Sequence, residues 1–233
     1  MSSSRTARRP ELTFKAILFD CDGVLVDSEV IALKVELDML AEQGLTFERS
    51  DYVNRFMGLS TDAFHAAIDE EAQKRLNRPI AGAVRQSERL RAAMMDGLIE
   101  VPGAVHAVTG LSLPKAIASS GSVDGLERKL KRTGLWSHFA PHVYGADHVA
   151  NAKPAPDLFL HAASALNVAP AECLVLEDSV NGVVAARAAC MTVWGFLGGG
   201  HADDALGARL VQAGATRIIQ DWREAAVILS SLK

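Results

Sequence analysis

Short apolar runs alternate with longer amphipathic segments along most of the chain. The apolar runs have the length and composition of strands buried in a parallel sheet, and they cover residues 14–19, 115–118, 142–144, 173–176, 192–196 and 217–219. Between most of them lie segments with apolar residues at helical spacing, such as 123–133, which Gly134 ends, and 157–166, which follows two prolines. This alternation predicts an α/β fold with a doubly wound, Rossmann-like parallel sheet that binds its ligands at the carboxyl ends of the strands.

One stretch, from Ser28 to residue 98, interrupts the alternation. It contains no convincing strand, and its apolar side chains recur at helical spacing up to Gly44, at Val30, Leu33, Leu37 and Leu40. A later helix is predicted over 83–95. We interpret the stretch as an inserted α-helical cap. The predicted division is a flexible N-terminus over 1–12, a core domain over 13–27 and 99–233, and a cap domain over 28–98.

Composition narrows the classes of function. The chain has 233 residues, 49% of them hydrophobic and 22% charged, with a formal net charge of -4. It therefore lacks the basic stripe that nucleic-acid binding needs. The N-terminal segment lacks the apolar core of a secretory signal, no apolar stretch is long enough to span a bilayer, and the three cysteines resemble reduced cytosolic ones. We expect a cytoplasmic protein, a monomer or weak homo-oligomer, that binds neither nucleic acid nor a membrane.

The first apolar run ends in an acidic turn, Asp20-Cys21-Asp22-Gly23. Buried carboxylates are costly unless they are paired or bind a metal, so their place at a strand end needs a reason. A calcium loop is excluded, because such a loop needs an acid or amide where Val24 stands and a helix before it. Two interpretations stay open at this point: acids that cap backbone amides in a turn, and a catalytic pair of a nucleophile and an acid/base.

The ends of later apolar runs favour the catalytic pair. Ser119-Ser120-Gly121-Ser122 follows the second run, and its hydroxyls and amides suit a phosphate oxyanion. Lys153 lies in a loop stiffened by prolines, which suits a charge-stabilising role. Glu177 and Asp178 end another run, where acids without a cation would repel the first pair. The set calls for a divalent cation, and oxygen ligands beside a phosphate favour Mg²⁺.

Taken in order, these motifs resemble those of the haloacid dehalogenase superfamily, in the branch of β-phosphoglucomutase-like sugar-phosphate phosphatases with a helical cap. The resemblance covers essentially the whole chain after Glu11 and rests on residues 20–28, 118–122, 153–157 and 177–182. It implies a Mg²⁺-dependent phosphomonoester hydrolase that acts on a small phosphorylated metabolite through an aspartyl-phosphate intermediate. A phosphosugar mutase and a catalytically idle relative that binds a phosphorylated metabolite are the alternatives.

The resemblance also implies roles for the motif residues. The implied catalytic residues are the nucleophile Asp20, the acid/base Asp22, the phosphate ligand Ser119 with help from amides near Ser120 and Gly121, and the charge-stabilising Lys153. The implied metal ligands are Asp20, the backbone carbonyl of Asp22, Asp178, and Glu177 either directly or through water.

Single residues narrow the chemistry within the superfamily. Asp22 argues against dehalogenation, which needs no proton donor at that position. Family mutases carry a histidine twelve residues after the nucleophile, where this chain has Ala32. Phosphonatases follow a Met-Gly-Leu turn with a Schiff-base lysine, whereas Ser60 and Thr61 follow that turn here. Plain phosphomonoester hydrolysis remains.

The cap is expected to set the substrate. The candidate substrate-binding residues, besides Ser120 and Gly121, are Asn54, Arg55, Gly58, Ser60 and Thr61, around a loop that could reach the phosphate on closure. Arg55 pairs either with a substrate carboxylate, as a sugar-acid phosphate would offer, or with a nearby surface acid. The acidic turn and the cap turn also resemble those of bacterial 6-phosphogluconate-type phosphatases.

Two further features receive no catalytic role. Gly198-Gly199-Gly200 follows a strand but lacks the lysine of a nucleotide-binding loop, so we expect a flexible loop at the rim of the cleft. The seven histidines are scattered, and the tryptophans are expected to pack in the core.

Overall fold

The computed structural model describes residues 13–56, 61–80, 92 and 95–232, and the chain divides into two compact units. One unit holds the chain up to Val26 and from Glu100 onward, and the other holds Asp27–Ile99. Each boundary falls one residue from the predicted limit of the cap. The predicted N-terminal segment over 1–12 and most of the helix predicted over 83–95 lie outside the described residues.

The core unit is built on one sheet of six parallel strands. They are β1 (Ala16–Phe19), β2 (Lys115–Ala118), β3 (Val143–Tyr144), β4 (Cys173–Glu177), β5 (Thr192–Phe196) and β6 (Arg217–Ile219). Their order across the sheet is β3-β2-β1-β4-β5-β6. The strand order reverses at β1, between β2 and β4, and such a reversal is where open α/β sheets bind ligands. The predicted α/β class with a doubly wound parallel sheet is confirmed.

Helices connect and cover the strands. Those in the described part of the chain are α1 (Glu29–Glu42), α2 (Arg49–Phe56) and α3 (Thr61–Leu76) in the cap unit, and α4 (Ala104–Thr109), α5 (Val123–Arg132), α6 (Trp136–Phe139), α7 (Asp157–Ala165), α8 (Val180–Ala188), α9 (Leu206–Ala213) and α10 (Trp222–Leu229) in the core unit. Ser122 and Ser179 cap α5 and α8 by accepting a hydrogen bond from the backbone N–H three residues on. No helix in these described ranges is both long and apolar enough to cross a membrane.

The register of the three central strands brings their carboxyl ends together. Phe19 of β1 lies opposite Ile117 of β2 and Leu176 of β4. The amide of Asp20 donates a hydrogen bond to the Leu176 carbonyl at 3.0 Å. Asp20 and the residues that follow β2 and β4 therefore lie at the same edge of the sheet.

Trp222 fixes the chain just after this edge. The side chain is 1% exposed, and its Nε1–H donates to the carbonyl of Val24 at 2.7 Å. The indole ring also packs against Phe19 and Phe196 at centroid distances of 6.0 and 5.3 Å. The predicted packing tryptophan thus anchors the turn that follows β1.

The cap unit has its own apolar cluster. Its buried members are Leu33, Leu40, Leu45, Tyr52, Phe56, Ile68, Ala72 and Ile80. The apolar side chains of α1 that lie in this cluster, Leu33 and Leu40, belong to the helical pattern that predicted the helix. The Tyr52 hydroxyl donates to Glu36 at 2.8 Å, which satisfies a polar group in an otherwise apolar cluster.

The chain leaves and re-enters the core unit at neighbouring positions. On the core side Val101 N donates to the Leu25 carbonyl at 2.9 Å, and Val26 forms an antiparallel bridge with Glu100. On the cap side Asp27 N donates to the Ile99 carbonyl at 3.0 Å. The outgoing and returning segments therefore run side by side.

Candidate active site

The acidic turn after β1 is closed by its own backbone. The Cys21 carbonyl accepts hydrogen bonds from the amides of Leu25 and Val26, and the Gly23 amide donates to the Val26 carbonyl at 2.8 Å. Gly23 has a φ of 75°, in the left-handed region that favours glycine. This tight turn holds Asp20, which is 7% exposed, at the end of the central strand.

Lys153 reaches the same edge from the loop before α7. Its Nζ lies 2.6 Å from Asp20 Oδ1 and 2.6 Å from Glu177 Oε1, and its side chain is 3% exposed. The ammonium also lies 4.7 Å from the centre of the Phe159 ring. Burial lowers the pKa of Lys153, but the two carboxylates raise it more strongly, so the pKa is held above its usual range. The lysine is therefore a fixed, buried cation beside Asp20.

Glu177 positions this cation. One of its carboxylate oxygens contacts Lys153, and the other accepts hydrogen bonds from Ser179 N at 2.8 Å and Ser179 Oγ at 3.0 Å. Both oxygens of Glu177 are therefore engaged by protein groups. Ser179 in turn accepts from the Gly182 amide at 3.0 Å, so the cap of α8 and the acid share one network.

Gly182 leaves room for the Glu177 carboxylate, because a Cβ at this position would overlap that group. We expect Gly182→Ala to lower the free energy of unfolding by about 1–3 kcal/mol through overpacking, although alanine is the better helix former. The displaced Glu177 should also release Lys153 and lower activity. Urea unfolding and steady-state kinetics measure both effects.

Gly207→Ala, in α9, is the matched control. A Cβ there would meet first the flexible end of Leu197, at 3.3 Å, rather than a carboxylate of the site. An equal loss of activity in the two variants would show that Gly182 has no special relation to Glu177.

Asp178 lies against the acidic turn and is joined to His201. Its Oδ2 is 3.1 Å from His201 Nε2, and a Cβ on Gly23 would overlap the Asp178 carboxylate. The glycine-rich loop also packs here, because a Cβ on Gly199 would lie 2.5 Å from the Gly23 carbonyl oxygen. The loop predicted to be a flexible rim therefore packs closely on the turn and brings in a histidine that sequence reasoning had left without a role.

Burial outweighs the nearby positive groups at Asp20 and Asp178. Burial raises the pKa of Asp20 to about 8; Lys153 opposes this rise, and Glu177 and Asp178 add to it. Burial likewise raises the pKa of Asp178 to about 6, against the hydrogen bond with His201. Raised pKa values of this kind are typical of a cluster of buried acids whose negative charge a divalent cation would offset.

Asp22 has a separate partner, Lys129 of α5. The Lys129 Nζ lies 2.6 and 2.7 Å from the two carboxylate oxygens of Asp22. Burial lowers the pKa of Lys129, but Asp22 outweighs this and the pKa is raised overall. The sequence alone gave no signal for this contact, because the two residues lie 107 positions apart.

The loop after β2 lies at the same edge of the sheet. Ser119 is 2% exposed, and its amide donates to the Tyr144 carbonyl at 3.1 Å, while Ser120 is exposed. The Gly121 carbonyl accepts from Ala146 N at 3.0 Å, which ties the loop to the segment after β3. The predicted phosphate loop thus follows a buried strand end and begins a capped helix.

Only some of the candidate substrate-binding residues of the cap lie within the described part of the chain. Arg55 is paired with Glu71 and with Asp51, the second at 3.2 Å, and its guanidinium lies 4.8 Å from the centre of the Phe56 ring. This is the ion pair that the sequence left open as one alternative for Arg55. Gly58 and Ser60 lie outside the described residues, as do the side chains of Asn54 and Thr61.

Within the described ranges, no three His, Cys, Asp or Glu side chains converge to hold a metal ion. The groups that could hold Mg²⁺ at this edge are two side chains, Asp20 and Asp178, with the backbone carbonyl of Asp22. Mg²⁺ commonly binds proteins through one or two carboxylates and completes its shell with water and phosphate oxygens. The raised pKa values of the same two acids agree with such a site.

Comparisons with known proteins agree with this fold. Residues 14–189 match the model of haloacid dehalogenase-like hydrolases, so the chain belongs to that family. It is 29% identical to 6-phosphogluconate phosphatase of Escherichia coli, over 80% of this chain and 84% of that protein. It is 36% identical to SUPPRESSOR OF QUENCHING 1 of Arabidopsis thaliana over 76% of this chain, which spans only 17% of that protein. A solved hydrolase of the family from Deinococcus radiodurans, with bound phosphate and sodium, superposes with a TM-score of 0.82 at 36% identity, over 95% of this chain and 98% of the other.

Proposed function

We propose that this chain is a Mg²⁺-dependent phosphatase that hydrolyses a small sugar or sugar-acid phosphate through an aspartyl-phosphate on Asp20. The observation that carries the proposal is the buried contact of Asp20 with Lys153, 2.6 Å long, at the point where the strand order reverses. A nucleophilic carboxylate beside a fixed cation suits attack on an anionic phosphoryl group.

In the first half-reaction, Asp20 attacks phosphorus and the bond from phosphorus to the leaving oxygen breaks. Lys153 contacts Oδ1 of Asp20, so we assign the attack to Oδ2. Asp22 gives a proton to the leaving oxygen, and the alcohol departs. Ser119 and the amides of the loop after β2 bind phosphoryl oxygens.

In the second half-reaction, water attacks the phosphorus of the aspartyl-phosphate. Asp22, now a carboxylate, takes the proton of the water, and the bond between phosphorus and Asp20 breaks. Inorganic phosphate leaves, and Asp20 and Asp22 return to their starting states. Mg²⁺ held by Asp20, Asp178 and the Asp22 carbonyl would offset negative charge on the acids and the phosphate.

The substrate class rests on the named relative and on the sequence of the cap. The Escherichia coli relative is a 6-phosphogluconate phosphatase, whose substrate is a sugar-acid phosphate. The chain has Ala32 where family mutases carry a histidine, which favours hydrolysis over phosphoryl transfer between sugar hydroxyls.

The three cysteines are free thiols, which supports a reducing compartment such as the cytoplasm.

The test is phosphate release from a panel of sugar, sugar-acid and polyol phosphates with Mg²⁺ present. We expect turnover of at least one ester, loss of turnover with EDTA, and recovery when Mg²⁺ is returned. Mg²⁺ should also raise the melting temperature, because it binds the folded site and not the unfolded chain. Conversion of a sugar 1-phosphate to its 6-phosphate would indicate a mutase, and binding without turnover would indicate an idle relative.

A further inference from the structure

Asp20 and Asp22 each have a lysine of their own, and the two lysines differ in setting. Lys153 is 3% exposed and lies between two acids, whereas Lys129 is 23% exposed and contacts Asp22 at both oxygens. The second contact is bidentate, at 2.6 and 2.7 Å. Charge-assisted bonds at two atoms fix the direction of a carboxylate as well as its place.

The helix that carries Lys129 is itself fixed at the site. Ser122 caps α5 directly after the predicted phosphate loop, and Leu126 and Leu130 on either side of Lys129 are fully buried. The Thr133 hydroxyl donates to the Lys129 carbonyl at 2.9 Å. The backbone at Lys129 is therefore held by packing, so the Lys129 ammonium can act as a rigid support for the Asp22 carboxylate.

We propose that Lys129 is a positioning residue that holds the Asp22 carboxylate in place for hydrolysis of the aspartyl-phosphate. This inference rests on the proposed function, because it concerns the half-reaction in which Asp22 accepts a proton from water. The contact seen here involves both oxygens of a carboxylate, which is the form of Asp22 that this half-reaction uses. Without Lys129, the Asp22 carboxylate would lose the two charge-assisted contacts that set its direction.

The test uses 4-nitrophenyl phosphate with the Mg²⁺-loaded protein. Its leaving group departs as a stable anion, so the first half-reaction needs little help from Asp22, whereas the second half-reaction still needs it. We expect Lys129→Met to leave the rapid burst of 4-nitrophenol unchanged and to slow the later steady phase by about tenfold. That loss is smaller than the about 10²–10⁴-fold which an acid/base group itself contributes.

Three further variants make the result specific. Lys129→Arg can still offer two parallel N–H groups to the carboxylate and should restore most of the steady rate. Lys131→Met, two residues along α5, removes an exposed pair with Glu127 and a contact of the ammonium with the Trp136 ring, both away from Asp22, and should change neither phase. In an Asp22→Asn background, Lys129→Met should have no additional effect, because the group it positions is gone.

The outcomes separate this inference from the function on which it rests. If the wild-type chain releases no phosphate from any ester, the proposed function fails. If the wild type is active and Lys129→Met slows the burst and the steady phase equally, Lys129 is only structural and the inference fails. The inference fails also if neither phase changes. It fails likewise if Lys129→Met slows the steady phase of Asp22→Asn by the same factor as it slows that of the wild type.

Discussion

Asp20→Asn is expected to abolish turnover, with a loss in kcat of at least about 10⁴-fold, as for removal of other covalent nucleophiles. Asparagine keeps the shape of the side chain but cannot form the acyl phosphate. The variant should fold at least as well as the wild type, because burial raises the pKa of Asp20 to about 8 and so disfavours its charged form. Phosphate release measures the loss, and urea unfolding measures the stability.

The intermediate gives this prediction a second readout. Acid quenching during turnover of a labelled ester should trap a phosphoenzyme in the wild type and none in Asp20→Asn. Asp203→Asn is the control, since it removes an exposed carboxylate that pairs with Arg209 at 2.9 Å. Wild-type activity in Asp20→Asn would place the nucleophile elsewhere.

Lys153→Met is expected to damage both stability and activity. It leaves the buried carboxylates of Asp20 and Glu177 without their shared cation, and breaking a buried pair in this way costs about 3–5 kcal/mol. The loss of a fixed charge at the phosphoryl group should lower kcat by about 10²–10³-fold. Urea unfolding and kinetics with the best ester of the panel measure the two losses.

Lys15 offers a matched comparison on the surface. It pairs with Glu172 at the same distance of 2.6 Å, but its side chain is 62% exposed. Lys15→Met should cost at most about 1 kcal/mol and leave kcat unchanged, because exposed ion pairs are screened by water and salt. Equal effects of the two substitutions would mean that burial gives Lys153 no special importance.

The sheet was largely predictable from the sequence. The runs at Lys115–Ala118, Thr192–Phe196 and Arg217–Ile219 have the predicted bounds, because short apolar stretches between helices have one way to be buried in a parallel sheet. β1 is shorter than its apolar run, since Phe14 and Lys15 precede the ladder. β3 is also shorter than predicted and covers only Val143–Tyr144. Before it lies Pro141, which has no amide N–H to donate to a ladder. After it lies Gly145, where a Cβ would lie 2.5 Å from the Gly121 carbonyl oxygen.

The candidate site also contains some residues whose place the sequence could predict and others whose place it could not. Residues at the end of a strand or directly after it, such as Asp20, Ser119 and Glu177, could be placed together because parallel strands end at a common edge. Lys129 and His201 could not, because a helix residue and a loop residue meet their acids only through the tertiary packing. Single-sequence patterns carry no information on such distances.

The contacts of Leu25 with Val101 and of Val26 with Glu100 affect how readily the inserted unit can change in evolution. Because the two ends of the insertion are already hydrogen-bonded neighbours, the core requires only a closed loop at that point. The entropy of closing a loop grows slowly with its length, by about 0.6 kcal/mol for each doubling. Helices can therefore be lengthened, exchanged or lost in Asp27–Ile99 at little cost to the sheet. If the inserted unit sets the substrate, as the sequence predicts, selection on substrate can proceed in one part of the gene while the chemistry encoded by the other part is preserved.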